Sequence, residues 1–189
     1  MRTLTYLVSL FFLFPVYSIP DDHPNTKGVI TLINNGFAHA CPCEGKVYTA
    51  GHVIKPPFSK EDLRAFTWED GYGNKGRAEG KVQDDHRDLG LLEMKDSTPS
   101  VYYTRASTPP NKDDKVYWEE FGDNDFLPKV RDAKVMYTKA GYVFFDEQPK
   151  AGASGSCLFN KAGEVVGIVV WGFYKDGKRF GAATLLTDR

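Results

Sequence analysis

One serine in this sequence lies where small residues surround a potential nucleophile. Ser154 is the centre of the run GASGS (152–156), directly before the apolar residues 157–159. A serine hydroxyl attacks a carbonyl only when a base takes its proton and hydrogen-bond donors hold the resulting oxyanion. Gly152 and Gly155 permit the tight backbone that aims several N–H groups at one point. An ordinary Gly/Ser turn between strands is the alternative, so the interpretation depends on partners elsewhere.

His52 is the candidate base for such a serine. It ends the run VYTAGH (47–52), whose small residues leave space for an imidazole ring beside a cleft. An imidazole with an unperturbed pKa near ~6.5 is the natural general base at neutral pH. A structural or surface position is the simpler interpretation of any single histidine, and this applies equally to His23, His39 and His86.

Asp88 is the candidate that would orient the histidine. It directly precedes the apolar run LGLL (89–92), so a strand can carry its carboxylate to a buried position. There a carboxylate fixes the histidine tautomer and stabilises imidazolium. Clustered acids usually form a solvated turn, and only its position directly before Leu89 distinguishes Asp88 from Asp84 and Asp85.

Composition and charge narrow the class of protein. The 189 residues are 41% hydrophobic and 14% aromatic, enough for one packed domain or two small lobes around a cleft. A formal net charge of −1 with scattered Lys and Arg predicts no nucleic-acid partner and no polybasic membrane segment. Cys41 and Cys43 lack a second Cys or His pair at zinc spacing, so no metal site is expected.

Residues 1–18 have the pattern of a secretory signal peptide. Arg2 precedes the apolar run 7–16, which is about half of the ~20 residues that a spanning helix needs. Val16 and Ser18 suit the small-residue positions before a cut after Ser18. We therefore expect an exported protein without stable membrane association after cleavage; an uncleaved interfacial anchor is the alternative.

Short apolar or alternating runs separated by Gly, Pro, Asn and Asp predict an all-β fold of the barrel or sandwich type. The predicted strands are 29–33, 37–41, 46–50, 65–68, 78–83, 89–94, 116–118, 133–138, 142–145, 157–159, 164–171 and 179–186. The Pro-containing segment from about 96 to 114 is interpreted as a connector between two lobes, about 27–95 and about 115–187. A long surface loop inside a single barrel is the alternative.

Taken in order, these stretches resemble the catalytic blocks of the trypsin/chymotrypsin-like serine peptidases. The blocks TAGH (49–52), DLGLL (88–92) and GASGS (152–156) match the surroundings of that family's histidine, aspartate and serine. VWG (170–172) is similar to the family's substrate-binding strand, and the short spacings are like those of compact bacterial and viral members. Each block is weak alone, but four in order across residues 28–186 are specific.

The resemblance implies two six-stranded antiparallel β-barrels, within residues 19–189, with the active site in the cleft between them. Ser154 would attack the scissile carbonyl, His52 would carry its proton to the leaving amine, and Asp88 would orient His52. The N–H groups of Gly152 and Ser154 would form the oxyanion hole. This is the chemistry of an exported serine endopeptidase that acts through an acyl-enzyme, needs no cofactor and has a protein or peptide as partner. The oligomeric state stays open.

The resemblance also implies how substrate is held. Val170, Trp171 and Gly172 would pair with an extended substrate backbone. Gln148 would lie near the base of the pocket for the residue preceding the cleaved bond. The absence of a carboxylate there argues against strong selection for Arg or Lys, unless Asp146, two residues earlier, takes that place.

Two departures from the family pattern carry further expectations. Ala153 replaces the aspartate that, in animal digestive members, pairs with a newly cut amino terminus, so we expect activity that does not depend on that ion pair. Val53 replaces a usual half-cystine beside the histidine. The resemblance then implies a disulfide from Cys157 to either Cys41 or Cys43.

Two other functions compete with the peptidase. A catalytically silent module of the same fold would use the cleft to bind peptides or a partner, and an intact set of His52, Asp88 and Ser154 argues against it. An esterase of the α/β-hydrolase type is disfavoured, because no G-x-S-x-G elbow between a strand and a helix is present.

Overall fold

The computed structural model describes residues 23–33, 36–56, 65–122 and 127–186, and the predicted signal segment lies outside these ranges. The described chain forms strands and one short helix: β1 Ile30–Ile33, β2 Phe37–Cys43, β3 Lys46–Ala50, α1 Gly51–Ile54, β4 Ala65–Asp70, β5 Lys75–Asp84, β6 Leu89–Met94, β7 Lys115–Phe121, β8 Pro128–Lys139, β9 Tyr142–Phe145, β10 Cys157–Phe159, β11 Val165–Lys175 and β12 Lys178–Leu185. Within these ranges, no helix is long and apolar enough to span a bilayer.

Each predicted strand has a counterpart, but several strands are longer than predicted, β5 and β8 at their beginnings, and one helical turn was missed. β5 begins at Lys75 instead of 78, and β8 begins at Pro128 instead of 133. These extra segments are polar and show no alternation of apolar residues. They are strands because they pair with a neighbouring strand: Gly76 pairs with Trp68, and Lys129 pairs with Glu120. The helix α1 spans only Gly51–Ile54, too short for a helical period to appear in the sequence.

The strands close into two antiparallel barrels of six strands each, which confirms the predicted fold class. The first barrel has the order β1-β2-β3-β6-β5-β4, and the second has the order β7-β8-β9-β12-β11-β10. The two orders are the same when β7 is matched with β1. Both barrels therefore share one topology, although the sequence shows no repeat.

Alternation along the strands fills each barrel with apolar side chains. The first core contains Leu32, Phe66 and Trp68, and the second contains Trp118 and Phe145. A further apolar cluster joins the barrels, with these members buried: Val29, Cys41, Cys43, Leu89, Tyr117, Cys157, Phe159, Val165, Ile168 and Leu186. This shared cluster fixes one barrel against the other, and the cleft lies at its edge.

A disulfide also joins the barrels. It links Cys41 on β2 to Cys157 on β10, with a Cα–Cα distance of 4.9 Å. Cys43 is free and buried, and burial raises the pKa of its thiol to about 11. Cys41 and Cys43 are two residues apart on one strand and share its face, so only the position of β10 along β2 selects Cys41.

Candidate active site

His52 lies on the helical turn α1, immediately after β3. Ala50 pairs with Leu89 at the end of β3, and Gly51 then donates its N–H to the Asp88 carbonyl at 2.8 Å. A Cβ on Gly51 would lie 3.0 Å from the Asp88 carboxylate oxygen Oδ1. Glycine thus lets the chain turn tightly around Asp88, and the turn brings the His52 ring over the same carboxylate.

The Asp88 carboxylate holds both the backbone and the ring of His52. Its Oδ1 accepts the His52 backbone N–H at 2.6 Å, and its Oδ2 lies 2.6 Å from His52 Nδ1. Asp88 itself has a positive φ of 53°, in the left-handed region, which Asp tolerates better than most residues. Because a carboxylate accepts hydrogen bonds, Nδ1 carries the proton and Nε2 is left as an acceptor.

The free ring nitrogen of His52 faces Ser154. His52 Nε2 lies 2.9 Å from Ser154 Oγ, within the range for direct proton transfer. The side chains of His52 and Asp88 are 34% and 23% exposed, so the group opens to solvent on one side. The structure brings these three predicted residues into one hydrogen-bonded row, with His52 and Asp88 from the first barrel and Ser154 from the second.

The loop that carries Ser154 depends on two glycines with positive φ, between β9 and β10. Gly152 has φ 92°, and a Cβ there would lie 2.9 Å from the Phe121 ring. Gly155 has φ 89°, and a Cβ there would overlap the His39 carbonyl oxygen. In the part of the chain that the structure describes, the N–H groups of Gly152 and Ser154 have no backbone acceptor.

The predicted substrate-binding residues line the same cleft as the row of three. One depression is bounded by His52, Gln148, Ser154, Val170, Trp171 and Gly172, among others. Gln148 packs against Gly172, where a Cβ would lie 2.6 Å from Gln148 Cγ. Trp171 is 39% exposed, whereas the Val170 side chain is buried with Ala50 and Ala182. Any contact of Val170 with a ligand must therefore come from its backbone.

Asp146 does not take the place of Gln148. Its carboxylate accepts the backbone N–H of Lys134 on β8 at 2.7 Å, and its own N–H returns to the Lys134 carbonyl. Gln148 lines the cleft beside Ser154, together with Lys150 of the same loop, and Asp146 does not.

Several residues that support the site were not predicted. Tyr142 donates its hydroxyl to the His86 carbonyl at 2.8 Å, and Thr184 donates to the Arg87 carbonyl. Burial, followed by the nearby Asp88 and Asp84 carboxylates, raises the pKa of Tyr142. The second barrel thus holds the loop that carries Asp88. No local signal reveals such contacts, because the partners are 56 and 97 residues apart in sequence.

His39 is a further residue whose position was left open. It is fully buried, and its Nδ1 lies 2.7 Å from the Gly152 carbonyl oxygen. Among the described residues, no cluster of three or more His, Cys, Asp or Glu could hold a metal ion.

Comparison with known proteins gives one family. A family model described as the trypsin-like peptidase domain matches residues 36–168, more than half of the chain. No curated protein matches. Among solved structures, a serine protease of human pathogenic astrovirus is 14% identical, with a TM-score of 0.65, covering 87% of this chain and 92% of that chain. A serine endoprotease from Yersinia pestis is 19% identical, with a TM-score of 0.68, covering 85% of this chain and 59% of that chain. At these identities, the likenesses show the fold.

Proposed function

Because the chain belongs to the trypsin-like peptidases, it is a serine-type endopeptidase, and we propose that it cleaves peptide bonds with His52, Asp88 and Ser154. The observation that carries the proposal is the 2.9 Å contact from His52 Nε2 to Ser154 Oγ, with Nδ1 held by Asp88 at 2.6 Å. This contact gives the serine a base, and the base a fixed tautomer.

The reaction proceeds through an acyl-enzyme. Ser154 Oγ bonds to the scissile carbonyl carbon while its proton passes to His52 Nε2. The C–N bond then breaks, the leaving amine takes that proton, and the acyl group stays on Ser154. Water, deprotonated by the same nitrogen, attacks the ester; the bond from the acyl carbon to Oγ then breaks, Ser154 Oγ takes the proton back from His52, and the new carboxyl end is released. Asp88 stabilises the imidazolium that forms in each half.

The oxyanion that forms in each half needs donors. The N–H groups of Gly152 and Ser154 have no backbone acceptor within the described ranges, and they come from the loop that carries the nucleophile. They are therefore the donors that we assign to the oxyanion hole. Loss of one such donor typically costs on the order of 10²–10³ in rate.

Substrate binds as an extended strand along Val170, Trp171 and Gly172, through backbone hydrogen bonds. Gln148 meets the side chain that precedes the cleaved bond. An amide gives a cationic side chain no opposite charge in a desolvated pocket, which disfavours Arg and Lys there.

Two observations support export of the protein. The Cys41–Cys157 disulfide is typical of proteins that fold in oxidising compartments. Residues 1–18 have the charge, apolar run and small-residue pattern of a cleaved signal. The proposed mature enzyme begins at Ile19.

Labelling with a fluorophosphonate tests the proposed nucleophile, because this probe reacts with an activated serine by losing fluoride. We expect residues 19–189 to gain one adduct, which peptide mass spectrometry locates on Ser154. The adduct should be lost in Ser154→Ala and in His52→Ala. It should be retained in Ser97→Ala, because the Ser97 hydroxyl donates a hydrogen bond to the Lys75 carbonyl away from the cleft. A folded wild-type chain that gains no adduct would instead be a silent peptide-binding module.

A further inference from the structure

His39 contacts the loop of the proposed nucleophile at three points. It lies on β2 of the first barrel, yet its backbone N–H donates to the Ser154 carbonyl at 2.9 Å. Its ring Nδ1 lies 2.7 Å from the Gly152 carbonyl oxygen. Its own carbonyl oxygen packs against Gly155, where no Cβ would fit. One residue of the first barrel therefore touches the start, the middle and the end of the loop in the second.

The ring contact fixes one peptide group. A carbonyl oxygen only accepts, so His39 Nδ1 must carry a hydrogen and donate it to Gly152. The N–H of the same peptide, that of Ala153, donates to the Lys150 carbonyl at 3.1 Å. With this peptide held on both edges and the Gly152 φ at 92°, the direction of the Gly152 N–H is set.

An aromatic ring keeps the imidazole in its plane. Phe121 stacks on His39 with a centroid distance of 4.5 Å and an interplanar angle of 24°. The same ring lies against Gly152, on the side where a Cβ would be. Rotation of the imidazole away from the Gly152 carbonyl would therefore require movement of Phe121.

Glu119 on β7 faces the other nitrogen of His39. Its Oε1 lies 3.6 Å from His39 Nε2, and its Oε2 accepts the Thr26 hydroxyl at 2.7 Å. His39 Nε2 has no hydrogen-bond partner within the described ranges. Tyr103, from the segment between the barrels, is a further titratable group near Glu119: burial, and to a smaller extent the Glu119 carboxylate, raises the pKa of Tyr103. A buried acceptor such as Nε2 favours a proton on the facing carboxyl.

Burial acts on both members of this pair in favour of the uncharged forms. It lowers the pKa of His39 to about 4, against the opposing effect of the Gly152 carbonyl. It raises the pKa of Glu119 to about 7, against the opposing effect of the Thr26 hydroxyl. In the neutral pair, the carboxyl proton faces Nε2 and the imidazole proton faces Gly152.

We propose that His39, supported by Glu119, is a positioning residue that holds the Gly152–Gly155 loop so that its N–H groups face the reacting carbonyl. A leucine would fill a similar space but would leave the Gly152 carbonyl without its donor. When Glu119 ionises, its carboxylate draws the single imidazole proton to Nε2, and Nδ1 then faces the Gly152 oxygen as a second acceptor. The inference rests on the proposed function, since it takes Ser154 as the nucleophile.

Variants at His39 test the donor. The probe is again a fluorophosphonate, whose maximal labelling rate and half-saturating concentration are measured separately on residues 19–189. His39→Leu should slow the maximal rate roughly 10- to 100-fold, less than the ~10²–10³ that loss of a whole donor costs, with half-saturation nearly unchanged. His39→Asn, whose amide N–H can replace Nδ1–H, should recover most of the rate.

Variants at Glu119 test the pair through pH, and they remain informative if His39→Leu does not fold. A glutamine can donate an N–H to His39 Nε2 at every pH, so Glu119→Gln keeps the imidazole proton on Nδ1. Wild type and Glu119→Gln should label at similar rates at pH 6. At pH 9, wild type should be at least about threefold slower than the variant, because its Glu119 is ionised.

The outcomes separate the two proposals. A folded His39→Leu chain that labels as fast as wild type, or a Glu119→Gln to wild-type ratio that is independent of pH, would overturn the positioning role and leave the nucleophile intact. A folded wild-type chain that is not labelled at any pH would overturn the proposed function, and this inference with it.

Discussion

Asp88 fixes His52 twice, through the ring and through the backbone. Oδ2 orients the imidazole, while Oδ1 anchors the first turn of α1. One carboxylate therefore decides both where the ring stands and which nitrogen is protonated. These two contacts with His52 distinguish Asp88 from its neighbours Asp84 and Asp85 as the proposed orienting carboxylate.

Asp88→Asn should reduce activity strongly while the fold is retained. An amide can donate to Nδ1 and so favours the wrong tautomer, which leaves Nε2 protonated toward Ser154. We expect the maximal fluorophosphonate labelling rate to fall by about 10⁴. Asp85→Asn is the control and should label normally, because Asp85 lies in the same loop but its carboxylate is paired, among the described residues, only with Lys55 at the surface. Equal rates in the two variants would contradict the role of Asp88.

Glu119 makes stability depend on pH. Its pKa lies at about 7 in the folded chain against an ordinary value of 4.5, because burial disfavours the carboxylate. Below about pH 4.5 Glu119 is protonated in both the folded and the unfolded chain, so it does not lower the free energy of unfolding. As pH rises to about 7 the unfolded chain ionises first, and folding loses up to about 3 kcal/mol.

Glu119→Gln should remove this loss. The free energy of unfolding of the variant, relative to wild type, should increase between pH 4.5 and 8 by up to about 3 kcal/mol. His39, whose burial lowers its pKa, contributes the opposite trend in both chains and cancels in the difference. Urea unfolding at the two pH values measures this. Glu93→Gln, which removes a carboxylate at a 77% exposed side chain, is the control for the loss of one acidic group.

At the scale of elements, β11 carries an aromatic surface beside the cleft. Trp171 and Phe173 lie near Phe144 of β9, and Phe173 stacks on Phe180 of β12 at 5.1 Å. Trp171 is 39% exposed at the edge where we place the substrate backbone. A side chain of an extended peptide would therefore meet an aromatic face before it reaches the proposed catalytic residues His52, Asp88 and Ser154.

Trp171→Ala should weaken peptide binding more than it slows chemistry. We expect KM for a peptide substrate to rise roughly tenfold, because a buried aromatic contact is worth about 1–2 kcal/mol, while labelling by a small fluorophosphonate changes little. Tyr174→Ala is the matched control, since this aromatic residue of the same strand is 68% exposed and lies farther along it. A similar rise of KM in both variants would exclude a specific role for Trp171.

At the scale of the whole molecule, β2 joins the barrels at two places. His39 contacts the loop of the proposed nucleophile, and Cys41, two residues later, is bonded to Cys157, three residues after Ser154. The disulfide closes a loop with a sequence separation of 116 residues. Its removal should therefore loosen the barrel interface and the site together.

Replacing both bonded cysteines by alanine should cost roughly 3–5 kcal/mol of unfolding free energy, from the chain entropy that so long a loop restores to the unfolded state. Cys43→Ala, at the free and buried thiol, should cost about 1 kcal/mol or less, because it removes only a small side chain. Urea unfolding under non-reducing conditions compares the two. An unchanged midpoint in the double variant would mean that the apolar interface alone holds the barrels together.

The sequence by itself determined the strands, the order of the blocks around His52, Asp88 and Ser154, and the fold that they imply. Alternation of apolar residues is a local property, and so is the row of small residues around Ser154, so both can be read without a structure. The polar strand ends at β5 and β8, and the short helix at His52, were not predicted. Pairing with a neighbouring strand and a tight turn of the chain produce them, and neither leaves a local sequence pattern.

Only the tertiary structure decided which residues of the two barrels contact each other. Three pairs of residues connect one barrel to the other: His52 with Ser154, Cys41 rather than Cys43 with Cys157, and His39 with Gly152. Their partners are 102, 116 and 113 residues apart. Such pairs are set by the packing of the shared apolar cluster, which the local order of residues along the chain does not encode.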